Sequence, residues 1–217
     1  MNKFIKDLKK GNKQELRFAN WLLRNSKNIK EVTFRQDGWF DLSIIKNEEW
    51  ITFEIKGDFF SHDERHYKNI TVPPDPYNTL FIEFESKGKN SGIRTTLADY
   101  WVIILTLMDE IWIIPTKELR EIIEENSHSQ KRFEEKEGGD DKMSKGYLIP
   151  RDKFKNKFKI FKDEQPDYRF RDEFNIQYRL EQGIRKHNEL TSTSENSRLI
   201  FKPLEEYYGV PNIQQGE

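Results

Sequence analysis

The sequence predicts an α/β fold: a mixed β-sheet with helices packed on it. Three stretches carry that reading, namely an amphipathic helical run over residues 12–26, a hairpin pattern over 40–56, and a run over 100–107 that is apolar on both faces. In the first, Leu16, Phe18, Ala19, Trp21, Leu22 and Leu23 form a broad apolar surface. In the second, Ile51, Phe53 and Ile55 alternate with Thr52, Glu54 and Lys56 at the strand period of two. The third reads as a central strand buried on both sides.

The hairpin sets the chemistry. Its connection, Lys46-Asn47-Glu48-Glu49, centres a turn between 47 and 48, so paired residues have numbers that sum to 95 and Asp41 opposes Glu54. Directly opposed residues place their Cβ atoms roughly 5 Å apart on one face. Two carboxylates at that spacing can share a divalent cation, and Lys56 stands on the same face. A slip of one residue would turn one acid away. The tripeptide Glu-x-Lys alone is weak, since it recurs at Glu85-Ser86-Lys87 and Glu134-Glu135-Lys136. The plain alternative is the solvated face of an ordinary hairpin with a surface ion pair of little energetic value.

Glu15 precedes Phe18, Ala19 and Leu22 at helical spacing, which puts it at the edge of the face that meets the sheet. Two readings stand side by side. A cation site would satisfy a carboxylate turned toward a core, or Asn12 is an N-cap and Glu15 the N3 member of a capping box.

The order Lys10-Gly11-Asn12-Lys13-Gln14-Glu15, then Asp41, then Glu54-Ile55-Lys56 resembles the PD-(D/E)xK nuclease superfamily, and within it the archaeal-type Holliday junction resolvases. The resemblance covers roughly the first sixty residues. It implies a restriction-endonuclease-like fold, Mg2+ or Mn2+ as cofactor and DNA as partner. It further implies that Asp41, Glu54 and the Ile55 backbone carbonyl ligate the ion, that Glu15 completes its shell directly or through water, and that Lys56 is the catalytic lysine. Phe40 stands where the name-giving proline would be. Asp37 competes with Asp41 but precedes Gly38 in an expected turn or bulge. The family core would also hold a longer helix than residues 96–99 permit.

Composition bounds the rest. With 217 residues, the expectation is one nuclease-like core over 1–162 and a C-terminal extension over 163–217. The absence of cysteine excludes disulfides, thiolate chemistry and Cys-based zinc sites. No apolar leader or membrane-length span is present, so a soluble, cytoplasmic protein is expected. A net charge of −1 argues against coating nucleic acid through an overall field, yet residues 1–30 hold nine Lys or Arg against two acids. Lys153, Lys155, Lys157 and Lys159 alternate with Phe154, Asn156, Phe158 and Ile160. On a strand these lysines would line one face, for phosphates or merely as an edge guard, whereas on a helix the ladder dissolves.

Further along, His62-Asp63-Glu64-Arg65-His66 does not fit the zinc-protease helix, because the glutamate is displaced by one place; the two histidines could pair on a metal only if helical. Residues 72–76 read as a proline-rich extended loop. A third strand over 80–85 offers Glu83 as an auxiliary acid. A strand over 111–115 and a helix over 117–125 follow. The glycines and cations of 87–96 suit either a phosphate backbone or a solvated loop. In the extension, a charged helix over 169–186 carries Phe170, Phe174 and Tyr178, a linker spans 191–197, and Leu199-Ile200-Phe201 with Tyr207 and Tyr208 is expected to dock onto the core or a second subunit.

The functional expectation is a Mg2+- or Mn2+-dependent endonuclease acting on DNA, working as a homodimer if two strands are to be cut. Its competitors are a catalytically inactive module of the same fold that binds nucleic acid or protein, and a nuclease directed at RNA.

Overall fold

Asn47 and Glu48 both adopt left-handed backbone angles, with φ of 50° and 67°. Such a pair makes the type I′ turn whose twist matches two antiparallel strands. In the computed structural model the turn joins Leu42–Lys46 to Glu49–Asp58, in the register Leu42↔Phe53, Ser43↔Thr52 and Ile44↔Ile51. The predicted numerical rule therefore holds along this ladder.

The structure describes residues 3–34, 39–59, 61, 65–67, 70–72, 78–127, 133–138, 143–163 and 200–201. Its helices are α1 (Lys3–Asn25), α2 (Thr116–Ser127) and the single turn α3 (Arg151–Phe154). The strands begin with β1 (Ile29–Phe34), β2 (Leu42–Lys46), β3 (Glu49–Asp58), β4 (Arg65–Tyr67), β5 (Ile70–Val72), β6 (Thr79–Ser86) and β7 (Lys89–Asn90). They continue with β8 (Tyr100–Leu105), β9 (Glu110–Pro115), β10 (Glu134–Gly138), β11 (Ser144–Pro150), β12 (Lys159–Lys162) and β13 (Ile200–Phe201).

A mixed sheet of six strands in the order β12-β9-β8-β3-β2-β1 forms the centre, with β13 added along the outer edge of β1. Within the six, β3 and β8 run parallel and the other neighbours antiparallel. A second, antiparallel sheet has the order β10-β11-β6-β7. The third predicted strand thus exists but belongs to this second sheet. Alternation reports which side of a strand is apolar, not which sheet it joins.

Each face of the central sheet buries its own core. On one side α1 lays Leu16, Phe18, Ala19 and Leu23 against Phe53, Ile55, Val102 and Ile104. On the other, Trp101, Ile103 and Leu105 meet Leu80, Ile82 and Phe84 of β6 and Leu119 and Ile122 of α2. Period-two alternation sends Glu54 and Lys56 to this second side, away from α1.

Two helical expectations change. α1 begins at Lys3, so Asn12 lies within the helix and cannot cap it; the capping-box reading of Glu15 is overturned. Phe4, Ile5 and Leu8 carry apolar helical spacing upstream of Gly11, whose propensity cost of roughly 1 kcal/mol the longer helix tolerates. The lysine ladder dissolves as well. Pro150, with φ −61°, starts α3, a 3-10 turn follows over Lys155–Lys157, and of the four lysines only Lys159 lies on a strand.

The chain at Asp163 is pinned to α1. Arg17, almost fully buried, places Nε 2.7 Å from Asp163 Oδ2, while Arg24 donates to Oδ1 at 3.2 Å. His66 sits in strand β4, so a helical pairing with His62 does not arise. Asp37, His62, the prolines at 73, 74 and 76, the helix and linker expected over 169–197, and Tyr207 and Tyr208 lie outside the described residues. Among the described residues no helix is long and apolar enough to cross a membrane.

Candidate active site

Asp41 stands one residue before β2, where the ladder ends. Its backbone N–H donates to the Phe53 carbonyl at 2.9 Å, and its Oδ2 accepts the Ile55 N–H at 2.6 Å. Asp41 is therefore not a ladder partner of Glu54, as strict counting would have it. The carboxylate takes the hydrogen-bonding place that β2 no longer fills, and this fixes it beside Glu54. Within a strand a residue's N–H and C=O point to the same edge, so the Ile55 carbonyl also faces the Asp41 side.

Glu54 is 6 % exposed, and both of its carboxylate oxygens are engaged. Its Oε1 lies 2.6 Å from Lys56 Nζ, and its Oε2 accepts from Thr96 Oγ1 at 2.9 Å. The Lys56 ammonium also sits 5.7 Å from the ring centre of the buried Trp101.

The electrostatics follow from this crowding. Burial is the main force pushing the Asp41 carboxyl up from 3.8 to about 6; Lys56 opposes it, Glu54 adds to it, and the Ile55 N–H opposes it again. For Lys56, burial pulls the ammonium down, yet Glu54, Asp41 and Glu83, with the hydrogen bond to Glu54, together hold it above the ordinary lysine value. Two acids and one amine thus form a single interacting cluster, and Glu83 on β6 lies within its electrostatic reach.

Glu83 is itself engaged, accepting from Ser91 Oγ at 2.7 Å. Glu15 does not form a three-carboxylate group with Asp41 and Glu54. It is half-buried on α1, and α1 packs against the opposite face of the sheet. α1 does come close to the end of β3: a Cβ placed on Gly57 would lie 2.8 Å from Gln14 Cγ. Among the described residues no three Asp, Glu or His side chains cluster as a ready-made cation cage, so Asp41 and Glu54 stand as a pair.

Sequence reasoning missed the arm over residues 92–99 that closes the site. Gly92 has φ +52°, and a Cβ there would fall 2.3 Å from the Glu83 carbonyl oxygen, so only glycine lets the arm lie this close to β6. The Arg120 guanidinium holds the Ile93 carbonyl at 3.0 Å and the Thr96 carbonyl at 2.6 Å. Thr52 donates to Asp99 Oδ2 from both its N–H and its hydroxyl, each at 2.8 Å. Fastened at both ends, the arm presents Thr96, whose hydroxyl proton is shared between Glu54 and the Trp39 carbonyl at 3.1 Å. No periodicity marks a threonine in Arg94-Thr95-Thr96-Leu97.

A hollow lined by Lys117, Glu118, Glu121, Glu125 and Lys157 includes none of these side chains. Within it Lys117 pairs with Glu121 at 4.0 Å and Lys157 with Glu118 at 3.9 Å. Comparison with protein-family models, with curated proteins and with solved structures gives no match.

Proposed function

We propose that this chain is a divalent-metal-dependent nuclease that hydrolyses phosphodiester bonds in DNA, on a restriction-endonuclease-like variant of the mixed α/β fold. The observation that carries the reading is the Asp41–Glu54–Lys56 cluster, assembled at a strand end and closed by Thr96.

The donor set suits Mg2+ or Mn2+. Two carboxylates and the Ile55 carbonyl are hard oxygen ligands, and Asp41 is held in a state where a nearby positive charge would relieve it, its carboxyl raised to about 6 chiefly by burial and further by Glu54. Asp41 and Glu54 would hold the ion. When bound, the ion polarises a phosphate and makes its water more acidic. Lys56, kept protonated by its acidic neighbours, would orient the attacking water or neutralise charge developing on the phosphate oxygens. Thr96 and the Ile55 N–H fix the two carboxylates before substrate arrives, so little reorganisation accompanies the reaction. Glu15 is assigned at most a water-bridged contribution past the end of β3.

The test is direct. Purified protein with Mg2+ or Mn2+ should cut DNA, while Asp41→Asn and Lys56→Met should not, with unchanged circular dichroism. Full activity in both variants would remove the assignment. Binding indifferent to Mg2+ and to both substitutions would identify a non-catalytic module, and preferential cutting of RNA would redirect the substrate. Sedimentation would decide whether a homodimer forms.

A further inference from the structure

Trp39 and Leu97 are 57 % and 58 % exposed, and they are neighbours: the Leu97 N–H donates to the Trp39 carbonyl at 2.8 Å. That same carbonyl shares the Thr96 hydroxyl with Glu54. Two large apolar side chains are therefore held in solvent at the rim of the acid cluster, two residues before Asp41 in one case and one residue after Thr96 in the other. Their backbones are tied to each other by that hydrogen bond, so the exposed parts of both side chains stand at one place on the surface. Arg94, on the same arm, stacks its guanidinium 4.2 Å from the Phe84 ring centre and bonds to Asn90 and Tyr147, with no carboxylate partner among the described residues.

We propose that Trp39, flanked by Leu97, is a stacking platform for an unpaired nucleobase adjoining the phosphate held at Asp41, Glu54 and Lys56, so that the preferred substrate is a single strand or a locally unpaired stretch. The position of the phosphate rests on the nuclease reading above. The occupant follows from the combination of surfaces: an aromatic face and a guanidinium with no carboxylate partner among the described residues, beside an amine and a cation-binding acid pair, call for a ligand that alternates flat apolar groups with negative charge. A nucleic-acid strand has that character. In a duplex the base faces are already covered by their neighbours, so only an unpaired base can meet the indole. Stacking of this kind tolerates any base, because every base offers a π-face.

The experiment measures binding without divalent cation, so that no cleavage is needed. The full-length protein is titrated with a labelled single-stranded oligonucleotide and with its duplex, by fluorescence anisotropy. Trp39→Ala should weaken single-strand binding on the order of tenfold while leaving the duplex unchanged, and Trp39→Phe should stay within about threefold of the parent. The emission difference between parent and Trp39→Phe should be that of a solvent-exposed indole, and DNA should quench it.

Equal single-strand binding by parent and Trp39→Ala would overturn the proposal, as would equal losses on both substrates. A buried-type emission in the free protein would show that another part of the chain covers Trp39, and a Trp39→Ala change in oligomeric state would assign the patch to a second copy; either refutes it. Selective loss of single-strand binding in a protein that never cleaves would uphold the platform and reject the nuclease. Mg2+-dependent cleavage indifferent to Trp39→Ala would do the reverse.

Discussion

Thr96 Oγ1 donates to Glu54 Oε2 at 2.9 Å across the sheet-to-arm junction, while Lys56 Nζ stands 2.6 Å from the other oxygen of that acid. A hydrogen bond to a charged group contributes about 1.5–3 kcal/mol. Thr96→Val keeps the shape and loses the donor, so nuclease turnover should fall about tenfold with little change in KM. Thr96→Ser should remain within about threefold. Steady-state kinetics alongside thermal melts check this, since equal kcat in all three proteins would leave Thr96 a purely structural residue.

Asp41 makes the cation-free protein pH-sensitive in an unusual direction. With its carboxyl raised from 3.8 to about 6, mainly by burial, the folded state keeps a proton that the unfolded chain releases in that window. Stability contributed by this group is therefore lost as pH rises from about 4 to 6. Asp41→Asn removes the effect and still accepts the Ile55 N–H. Denaturant unfolding without metal should show the variant more stable than the parent at pH 7, by up to roughly 3 kcal/mol, and the gap should close near pH 4. Added Mg2+ should stabilise the parent alone, less so below about pH 6 as Asp41 takes its proton.

Substitution of Lys56 should separate metal binding from chemistry. Lys56→Met leaves the buried Glu54 without its 2.6 Å partner, which should cost about 1–2 kcal/mol in cation-free protein, less than a fully buried pair because the Lys56 side chain is 37 % exposed. Two acids without an ammonium should bind Mg2+ at least as tightly as the parent. Calorimetry should therefore show retained affinity in a protein whose cleavage is abolished, and a parallel loss of both would contradict the separate roles.

Glu15 lies on α1, which packs against the sheet face lined by Phe53 and Ile55, the face opposite Glu54. Glu15→Gln should consequently reduce cleavage far less than Asp41→Asn, by under about tenfold. A loss as deep as that of Asp41→Asn would place the α1 acid inside the reacting shell after all.

Gly92→Ala tests the arm. Its φ of +52° and the 2.3 Å approach to the Glu83 carbonyl oxygen leave no room for a methyl group, so the variant should be destabilised by at least about 1–2 kcal/mol and should lose turnover with it.

How far the sequence spoke depended on whether information was periodic. The hairpin was legible because Ile51, Phe53 and Ile55 alternate with Thr52, Glu54 and Lys56 across an even turn, and the ladder from Leu42↔Phe53 onward obeys that count. Asp41 was found by the same count yet held in place by a side-chain bond that counting does not describe. Thr96, Arg120 and Asp99 act through paired hydrogen bonds between segments remote in sequence, and Arg17 meets Asp163 across 146 positions. Such pairs leave no periodic trace. The alternating lysines after Pro150 misled in the opposite sense, because a helix start there outweighs a two-residue rhythm.

β3 and β8 lie side by side and parallel, but the chain leaves at Asp58 and returns only at Tyr100, after laying down β6 and β7, two of the four strands of the second sheet. During synthesis the acidic hairpin can close on itself early, whereas the threonine, the indole's anchor and the neighbouring strand must wait for a long loop to come home. By that order of closure a growing chain would hold its two carboxylates well before the frame that fixes them.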